Sequence, residues 1–272
     1  MAAHSDTLIR FLIPDAQCRG AIIRGTHIIE DGAKAHGLSD MPAQIFGQTL
    51  LSSILLLSVS KGGIRQILQL DTHPTQAHSP ITRILAEARA GAVRGYLNWQ
   101  EDHVGHRNEQ QADISSWMGS PLHLSTVRDL GFGQPYISTI EHDSEYLADH
   151  ILHYLNQSVQ VQADVILQGD LAILLEAMPG SDDDTWFKAI EKLASINTDT
   201  LESSTPEEII TAFDDLHVKI VGRDDYAYQC SCNIEKMAAS LSALDEQELE
   251  DLKDENGHIT LSCQYCSSNY TL

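Results

Sequence analysis

Apolar and polar positions alternate over residues 1–178 in short segments of both secondary-structure types. Runs rich in β-branched residues predict strands at 8–13, 64–70, 90–99, 135–140 and 164–176, and at 19–24 within a β-rich run that extends over 20–29. Apolar positions that recur with a helical period predict helices at 41–60 and 145–155. The mixture predicts an α+β fold, with a mixed sheet and its helices forming a core domain over residues 1–178.

The most apolar stretch of the chain, 50–59, lies inside the predicted helix 41–60. Gly62 and Gly63 follow this helix and are expected to end it, because glycine is common just past a helix C-terminus. The stretch is too short to cross a bilayer, and glutamines lie just before it. We therefore predict a buried core helix and no association with a membrane.

The composition changes at 179–184, where proline, glycine and aspartates predict a break. Beyond this break the apolar positions indicate short helices, and Thr205 with Glu208 has the capping-box pattern of a helix start. Residues 181–225 include 12 acidic and 4 basic residues, a local net charge of −8. We predict that residues 179–225 form a helical linker of marginal stability, because its charges repel one another.

Residues 226–272 form the third predicted unit, and their cysteines define it. Cys230 and Cys232 are separated from Cys263 and Cys266 by the spacer 233–262. Two pairs of thiolates joined by a spacer match the count and pairing of a Zn(Cys)4 site. A segment of about 45 residues buries too little apolar surface to fold on its own core. The sequence therefore predicts a small zinc-binding domain that needs one zinc ion per chain.

The chain is strongly acidic, with 17 Lys and Arg against 39 Asp and Glu and a formal net charge of −22. A chain of this charge repels phosphates, so nucleic acid is not an expected partner. Neither G-x-x-x-x-G-K-[ST] nor G-x-S-x-G occurs, so we expect neither a nucleotide nor an enzyme. The N-terminus lacks the pattern of a secretory signal, which makes the cytoplasm the expected location.

In a reducing cytoplasm the cysteine cluster indicates metal binding or catalysis rather than permanent disulfides. Four thiolates close the coordination shell of zinc and leave no position for a catalytic water. Three interpretations remain: a structural zinc ribbon that binds another molecule, a thiol–disulfide oxidoreductase that uses Cys263 and Cys266, and a redox switch. The Cys-x-Cys spacing of Cys230 and Cys232 is less usual in a static ribbon than Cys-x-x-Cys, which favours the switch.

Several segments resemble the 33-kilodalton chaperonin family, the redox-regulated heat-shock holdases of bacteria. The most specific ones, 230–241 and 256–266 together with Tyr270, resemble the C-terminal zinc motif of that family. Weaker similarities occur in the right order through the core, at 19–21, 94–96, 144–149 and 154–158. One departure lies beside the motif, since the family usually has glycine after its last cysteine and this chain has Ser267.

The resemblance implies an ATP-independent chaperone that binds unfolding proteins under oxidative stress. In the reduced form the four cysteines would hold zinc and the chaperone would be inactive. In the oxidised form the disulfides Cys230–Cys232 and Cys263–Cys266 would replace the zinc site, and the small domain and the linker would loosen. The resemblance also implies a homodimer in the oxidised form.

Apolar linker residues are the candidates for client binding in this scheme: Trp186, Phe187, Ile209, Ile210 and Phe213. Trp186 and Phe187 also have a simpler interpretation, in which they anchor the linker to the core domain. The two roles are compatible if the protein has two states, with these side chains buried in one state and exposed in the other.

The remaining reactive side chains have simpler interpretations. Cys18 lies beside a predicted strand and is expected to be a buried, inert thiol. Histidine pairs at i, i+3 spacing lack further ligands nearby, and we interpret them as solvated surface residues: His103 with His106, and His150 with His153. Arginines near the N-terminus are expected to pair with carboxylates rather than bind an anion: Arg10, Arg19 and Arg24.

Overall fold

A computed structural model of the chain describes residues 4–76, 78–100 and 113–272. Ten strands of this described part belong to one sheet: β1 (Asp6–Ile13), β2 (Cys18–Arg24), β3 (Arg65–Thr72), β4 (Ile81–Arg89), β5 (Ala92–Trp99), β6 (Leu122–Asp129), β7 (Tyr136–His142), β8 (Ala163–Gln168), β9 (Leu171–Ala177) and β10 (Lys219–Tyr228). Their order is β7–β6–β3–β4–β5–β10–β1–β2–β9–β8, and β10 and β5 form the parallel pair of an otherwise antiparallel sheet. His103 and His106 lie outside the described residues.

The helices of the described residues are α1 (Thr26–His36), α2 (Asp40–Val59), α3 (Ile114–Met118), α4 (Leu147–Tyr154), α5 (Asp183–Ser195), α6 (Thr198–Ser203), α7 (Pro206–Ile210), α8 (Ile234–Ser240) and α9 (Glu246–Asp251). By length and composition α2 could cross a membrane, but 72% of its most apolar window is buried inside the protein. Leu50, Leu51 and Ile54 are fully buried. The prediction of a buried core helix is confirmed.

A hydrophobic core lies on each of the two faces of the sheet. On one face the buried leucines of α2 pack with Leu68 of β3 and Ile84 of β4. On the other face α5, α6 and α7 cover the strands β1, β2 and β9. Ile23 belongs to the first core and its neighbour Ile22 to the second, because successive side chains of a strand point to opposite faces. The α+β class with a large mixed sheet is thus confirmed.

Three parts of the core differ from the sequence prediction. The β-rich run at 20–29 forms a strand only to Arg24, and α1 begins at Thr26. The predicted strand 164–176 is two strands, β8 and β9, because Gly169 takes a left-handed φ of 56° at the turn between them. The sequence analysis does not predict β4 and β6: charged residues interrupt the apolar positions of β4, and β6 has few β-branched residues and ends in two charged ones.

The linker segment, residues 179–225, is helical in its first part only. Two short helices are predicted here: the first agrees with α5, and the second with α7 and the 3-10 helix at Thr211–Leu216, whereas α6 is not predicted. The rest of the segment belongs to β10, which lies between β1 and β5, so the helical prediction is wrong there. A polar strand is stable at this place because it finds partners on β1, such as Arg10, whose Nε is 2.9 Å from Asp224 Oδ2. The division of the chain into three units stays a prediction.

Beyond β10 the chain forms α8, α9 and a small hairpin of β11 (Thr260–Ser262) and β12 (Asn269–Thr271). Neither helix has a buried residue. Among the described side chains after Tyr228, the buried ones are Ile259 and Cys263. This C-terminal segment, residues 229–272, therefore has almost no apolar core of its own, which makes its fold dependent on other interactions.

Candidate metal centre

The four cysteines of the predicted metal site lie in two loops of the C-terminal segment. Cys230 and Cys232 directly follow the end of β10, and Asn233 then caps the N-terminus of α8. Cys263 and Cys266 lie in the tight loop between β11 and β12. One pair is therefore positioned by the main sheet and a helix cap, and the other pair by the hairpin.

Backbone hydrogen bonds shape the loop between β11 and β12. The Ser267 amide donates to Cys263 O at 2.8 Å, and the Cys263 amide donates to Ser268 O at 2.9 Å. Ser267 has a φ of 56°, in the left-handed region that glycine adopts more easily than other residues. The loop thus gives a physical reason for the glycine that is usual at this position in the family that the sequence resembles.

The four sulfur atoms of these cysteines converge, and all lie within 4.8 Å of one another. The Sγ atoms of Cys230 and Cys263 are 3.7 Å apart, and those of Cys232 and Cys266 are 3.3 Å apart. Two sulfurs bound tetrahedrally to zinc at about 2.3 Å are about 3.8 Å from each other, so the donor set fits a Zn(Cys)4 site. All four cysteines are free thiols in this structure. The pairing of the oxidised cysteines stays a prediction.

The thiols of the cluster differ in their affinity for protons. Burial raises the pKa of Cys232 to about 12, and burial also raises the pKa of Cys263. At Cys266 burial acts in the same direction, but hydrogen bonds with Ser268, Cys232 and Cys263 together outweigh it and lower the pKa to about 7. Cys266 is therefore the thiol of these three that loses its proton most easily, and the thiolate is the form that binds metal or reacts with an oxidant.

Arg94 of β5 connects the cysteine cluster to the main sheet. Its Nη1 is 3.7 Å from Cys230 Sγ, and its Cζ lies 4.1 Å from the centroid of the Tyr265 ring. Its Nη2 donates to both carboxylate oxygens of Glu87 at 3.1 and 3.2 Å, and the Glu87 side chain is only 5% exposed. The local sequence around Arg94 does not indicate that this residue contacts the cysteine cluster. Its only signal is that it belongs to the segment 94–96, which resembles the family.

Tyr228 makes a second connection between the cluster and the core. Its hydroxyl lies 2.5 Å from Tyr265 O and 3.1 Å from Gly95 O, and its single proton is donated to one of them at a time. His36 Nε2 of α1 lies 3.0 Å from the same hydroxyl. Because Tyr265 lies between Cys263 and Cys266, these contacts hold the cysteine loop against α1 and β5.

The position of Cys263 and Cys266 bears on the oxidoreductase alternative. A redox-active Cys-x-x-Cys pair normally opens a helix within a thioredoxin-like βαβ unit. Here the pair lies between two three-residue strands, β11 and β12. The local structure therefore does not favour this alternative, whereas a hairpin loop is compatible with metal binding.

Most of the candidate client-binding residues lie on the buried side of the linker helices. Trp186, Ile209, Ile210 and Phe213 are at most 4% exposed and belong to the core on the second face of the sheet. Phe213 stacks on Phe11 of β1, with 6.1 Å between the ring centroids. In contrast, Phe187 is 54% exposed. Trp186 is thus an anchor of the linker in this form and Phe187 is not, while client binding by these residues stays a prediction.

The other reactive residues are mostly placed as predicted. Cys18 is fully buried, and burial raises its pKa to about 12, which agrees with an inert thiol. The prediction of a solvated surface is wrong for His150, which is fully buried because its face of α4 packs on the sheet, with Nε2 3.2 Å from Ser144 O. The three N-terminal arginines pair with carboxylates: Arg10 with Asp224, Arg19 with Glu176, and Arg24 with Asp170.

Comparisons with known proteins match this architecture along the whole chain. A family model described as "Hsp33 protein" matches residues 6–272. The 33 kDa chaperonin of Bacillus subtilis is 26% identical over 279 residues, which cover 97% of this chain and 94% of the relative. The 33 kDa chaperonin of Geobacter sulfurreducens is 27% identical over 281 residues, with 98% and 91% covered. The crystal structure of a 33 kDa chaperonin from Thermotoga maritima has a TM-score of 0.81 at 22% identity, over 99% of this chain and 94% of that one, so the two share a fold.

Proposed function

The chain belongs to the Hsp33 family of chaperones, and we propose that it is redox-regulated and holds unfolding proteins without ATP. The observation that carries the proposal is the convergence of four free thiols in a segment with almost no apolar core of its own. This segment is attached to the sheet whose second face the linker covers. Such a segment can lose its fold when its thiols change state. The proposal names no catalytic residue.

In the reduced form Cys230, Cys232, Cys263 and Cys266 would hold one zinc ion, which would act as a structural cross-link. Zinc binding contributes about 10–16 kcal/mol to the folding of small zinc domains. This is comparable to the whole stability of a typical protein, about 5–15 kcal/mol. The four thiolates would therefore supply the stability that the C-terminal segment lacks.

Oxidation by a peroxide would remove these ligands. Each disulfide forms from two thiols that lose two protons and two electrons, while one hydrogen peroxide is reduced to two waters. Two disulfides, Cys230–Cys232 and Cys263–Cys266, therefore consume two peroxides per chain. Disulfide sulfurs are poor zinc ligands, because the thiolate is the form that coordinates metal. The C-terminal segment would then unfold.

Unfolding of the C-terminal segment would weaken the linker. The contacts of Tyr228 and Arg94 with the cysteine loops would be lost, and with them part of what holds β10 beside β5. The linker itself carries a net charge of −8 over 181–225 and has little stability in reserve. Its release would expose apolar residues on both partners: Trp186, Ile209, Ile210 and Phe213 of the linker, and Phe11, Ile22 and Ile173 of the sheet.

This exposed apolar surface would bind unfolding or partly folded proteins, which display apolar segments of their own. Two oxidised chains would also associate through such surfaces as a homodimer. The net charge of −22 supports the expectation that nucleic acid is not a client. We further propose that the protein works in the cytoplasm, where its thiols are reduced until oxidative stress occurs.

A peroxide titration of the full chain tests this function. Zinc release and the suppression of aggregation of a heat-unfolding client are measured on the same samples. We expect about one zinc per reduced chain, and chaperone activity that appears in proportion to the zinc released. The Cys263→Ser variant should be active without peroxide, while Cys18→Ala, which changes the cysteine outside the cluster, should respond like the wild type. Equal activity of the reduced, zinc-loaded protein and the oxidised protein would refute redox regulation.

A further inference from the structure

A row of polar side chains crosses the outer surface of the sheet, on the face opposite α2. It joins directly paired positions of five strands, in the order Asn98, Arg83, Asp71, His123 and Glu141. The flanking residues of β3 and β6, such as Leu70 and Leu122, are fully buried and point to the core. The row therefore lies on the accessible side and is independent of the cysteine cluster.

Two histidines and a glutamate meet at one end of this row. A ring nitrogen of His73, a ring nitrogen of His123 and a carboxylate oxygen of Glu141 lie within 4.8 Å of one another. His123 Nε2 is 2.7 Å from Glu141 Oε2, and the rings of His73 and His123 are 5.3 Å apart at an angle of 69°. Three donors from three separate segments therefore point to one place: the loop after β3, β6 and β7.

The neighbouring side chains hold these donors in position. Thr75 Oγ1 lies 2.7 Å and the Thr75 amide nitrogen 3.3 Å from His73 Nδ1, and these contacts fix the ring. The Thr75 amide donates to Nδ1, which places the proton of the neutral ring on Nε2. A metal ion on Nε2 would move that proton to Nδ1, where it would be donated to Thr75 Oγ1 in place of the amide bond. Asp71, the cross-strand neighbour of His123, is not available as a donor, because its two oxygens bind Arg83 and Gln69 at 2.5 Å. The Asp71–Arg83 pair instead limits the movement of the surface beside His123.

The next histidine cluster along β7 is separate from this one. His142 follows Glu141 and points to the opposite face of the strand. There its ring stacks on His153 of α4, with 4.2 Å between the centroids. The set of His73, His123 and Glu141 is therefore not a part of a general histidine patch.

We propose that His73, His123 and Glu141 form a second metal site, which binds a divalent transition-metal ion such as zinc. Two imidazoles and a carboxylate are donors that zinc, nickel and copper accept. Zinc binds such atoms at about 2.0–2.2 Å, so donors around one ion lie about 3–4 Å apart. His123 and Glu141 need to separate only slightly, and their side chains, 34% and 52% exposed, have the freedom to do so.

This site differs from the cysteine cluster in chemistry. It has three protein ligands, so water can fill the remaining positions of a metal ion there. It contains no thiol, so oxidation of the cysteines does not destroy it. The negative charge of the chain favours a cation at the surface. A bound ion would connect the edge strand β7 to β6 and to the loop after β3.

Calorimetric titration of the reduced, zinc-containing full chain with zinc chloride tests this proposal. The number of zinc ions bound per chain is determined separately after equilibrium dialysis. The wild type should bind one further equivalent. The variants His123→Gln and Glu141→Gln, which keep the sheet surface polar, should weaken this binding by about tenfold or more. His73→Gln lies in a loop and should do the same, which guards against an effect of either strand variant on folding.

The matched control is His217→Asn. His217 also pairs with a carboxylate, Asp15, at 2.8 Å, but no third donor joins that pair among the described residues. Asparagine suits the left-handed φ of 56° at this position. The control should bind the additional zinc like the wild type. The proposal is overturned if the wild type binds no additional equivalent, if the three variants bind it as tightly as the wild type, or if the control loses it as well. The comparison does not depend on the redox function, because it counts zinc beyond the cysteine cluster.

Discussion

Single residues at the cysteine cluster show what sequence can and cannot reveal. The four cysteines are identified by their spacing alone, because both pairs are local in sequence and their chemistry is specific. Arg94 and Tyr228 are not, because their contacts with Cys230 and Tyr265 join residues that are far apart in the chain. The role of such residues depends on tertiary contacts. An arginine next to a glycine in a strand has no local sequence pattern that would indicate those contacts.

Ser267 offers a direct test of the cysteine loop at this scale. The left-handed conformation costs a residue other than glycine about 1–2 kcal/mol of folding free energy. Glycine avoids this cost, but its more flexible unfolded chain lowers the stability by about 0.4–1 kcal/mol. We expect Ser267→Gly to bind zinc as tightly as the wild type or slightly more tightly. Ser267→Val, which puts a β-branched residue at φ 56°, should bind more weakly. Competition with a chromogenic chelator measures both, and equal weakening by glycine and valine would contradict this view of the loop.

Arg94 should control how firmly the C-terminal segment is attached. Arg94→Gln removes hydrogen bonds to the buried Glu87, and bonds to charged groups are worth about 1.5–3 kcal/mol. The variant should reach half-maximal chaperone activity at a lower peroxide concentration than the wild type. Arg89→Gln is the matched control, because Arg89 binds the same carboxylate from an exposed position without touching a cysteine. An equal shift in both variants would show that the loss of the Glu87 ion pair, and not the contact with Cys230, is responsible.

His150 should make stability depend on pH. Burial lowers the pKa of its imidazole, so the unfolded chain binds the proton at a higher pH than the folded protein does. The stabilising contribution is complete above the unfolded pKa of about 6.5 and is lost as the pH falls through the folded-state pKa. Urea unfolding between pH 7 and pH 5 should show a smaller loss of stability for His150→Gln than for the wild type. The control is His258→Gln, at an exposed position. If the pH dependence of His150→Gln equals that of the wild type, His150 is not the group responsible.

Elements are predicted from sequence where their pattern is local and fail where it is not. The helix α2 is recognised by a continuous apolar stretch, and α7 by the capping box of Thr205 and Glu208, which the structure contains. The strand β10 is not recognised, because it has charged residues at several positions and is stabilised by partners on β1, near the other end of the chain. Because Cys230 and Cys232 follow directly after β10, the pairing of β10 with β1 and β5 also places these two cysteines beside the core.

The linker helices are the element whose release the proposed function requires. Phe213→Ala removes a fully buried ring that stacks on Phe11, a change that typically costs about 3–5 kcal/mol. We expect the linker to detach in the reduced protein, with zinc still bound and with chaperone activity present before oxidation. Limited proteolysis at the linker, zinc content and client aggregation measure these three properties.

Phe187→Ala is the matched control for this variant, since Phe187 is a half-exposed phenylalanine of the same linker. It should leave both the proteolysis rate and the activity of the reduced protein unchanged. If Phe213→Ala keeps the linker resistant to protease, or detaches it without any gain in activity, the linker does not cover the client-binding surface.

At the scale of the whole molecule, one sheet has a hydrophobic core on each face, and the two cores differ in size and in the charge of the elements that cover them. The core around α2 is large and composed of buried, uncharged side chains, so it should persist in every state. The core under the linker is smaller and is covered by helices that carry net negative charge. The cysteine cluster is attached to the sheet at β5 and β10, next to the strands that this second core covers. Unfolding of the segment around the cysteine cluster can therefore destabilise the linker helices without unfolding the core around α2.

Hydrogen exchange, followed by mass spectrometry, measures this coupling most directly. The full chain is compared in the reduced, zinc-loaded form and after peroxide treatment that releases the zinc. The account predicts that protection is lost in the C-terminal segment and in α5, α6 and α7, while α2, β3 and β4 keep theirs and chaperone activity appears. Activity that appears while the linker helices remain fully protected would contradict the central claim that the cysteines control the linker.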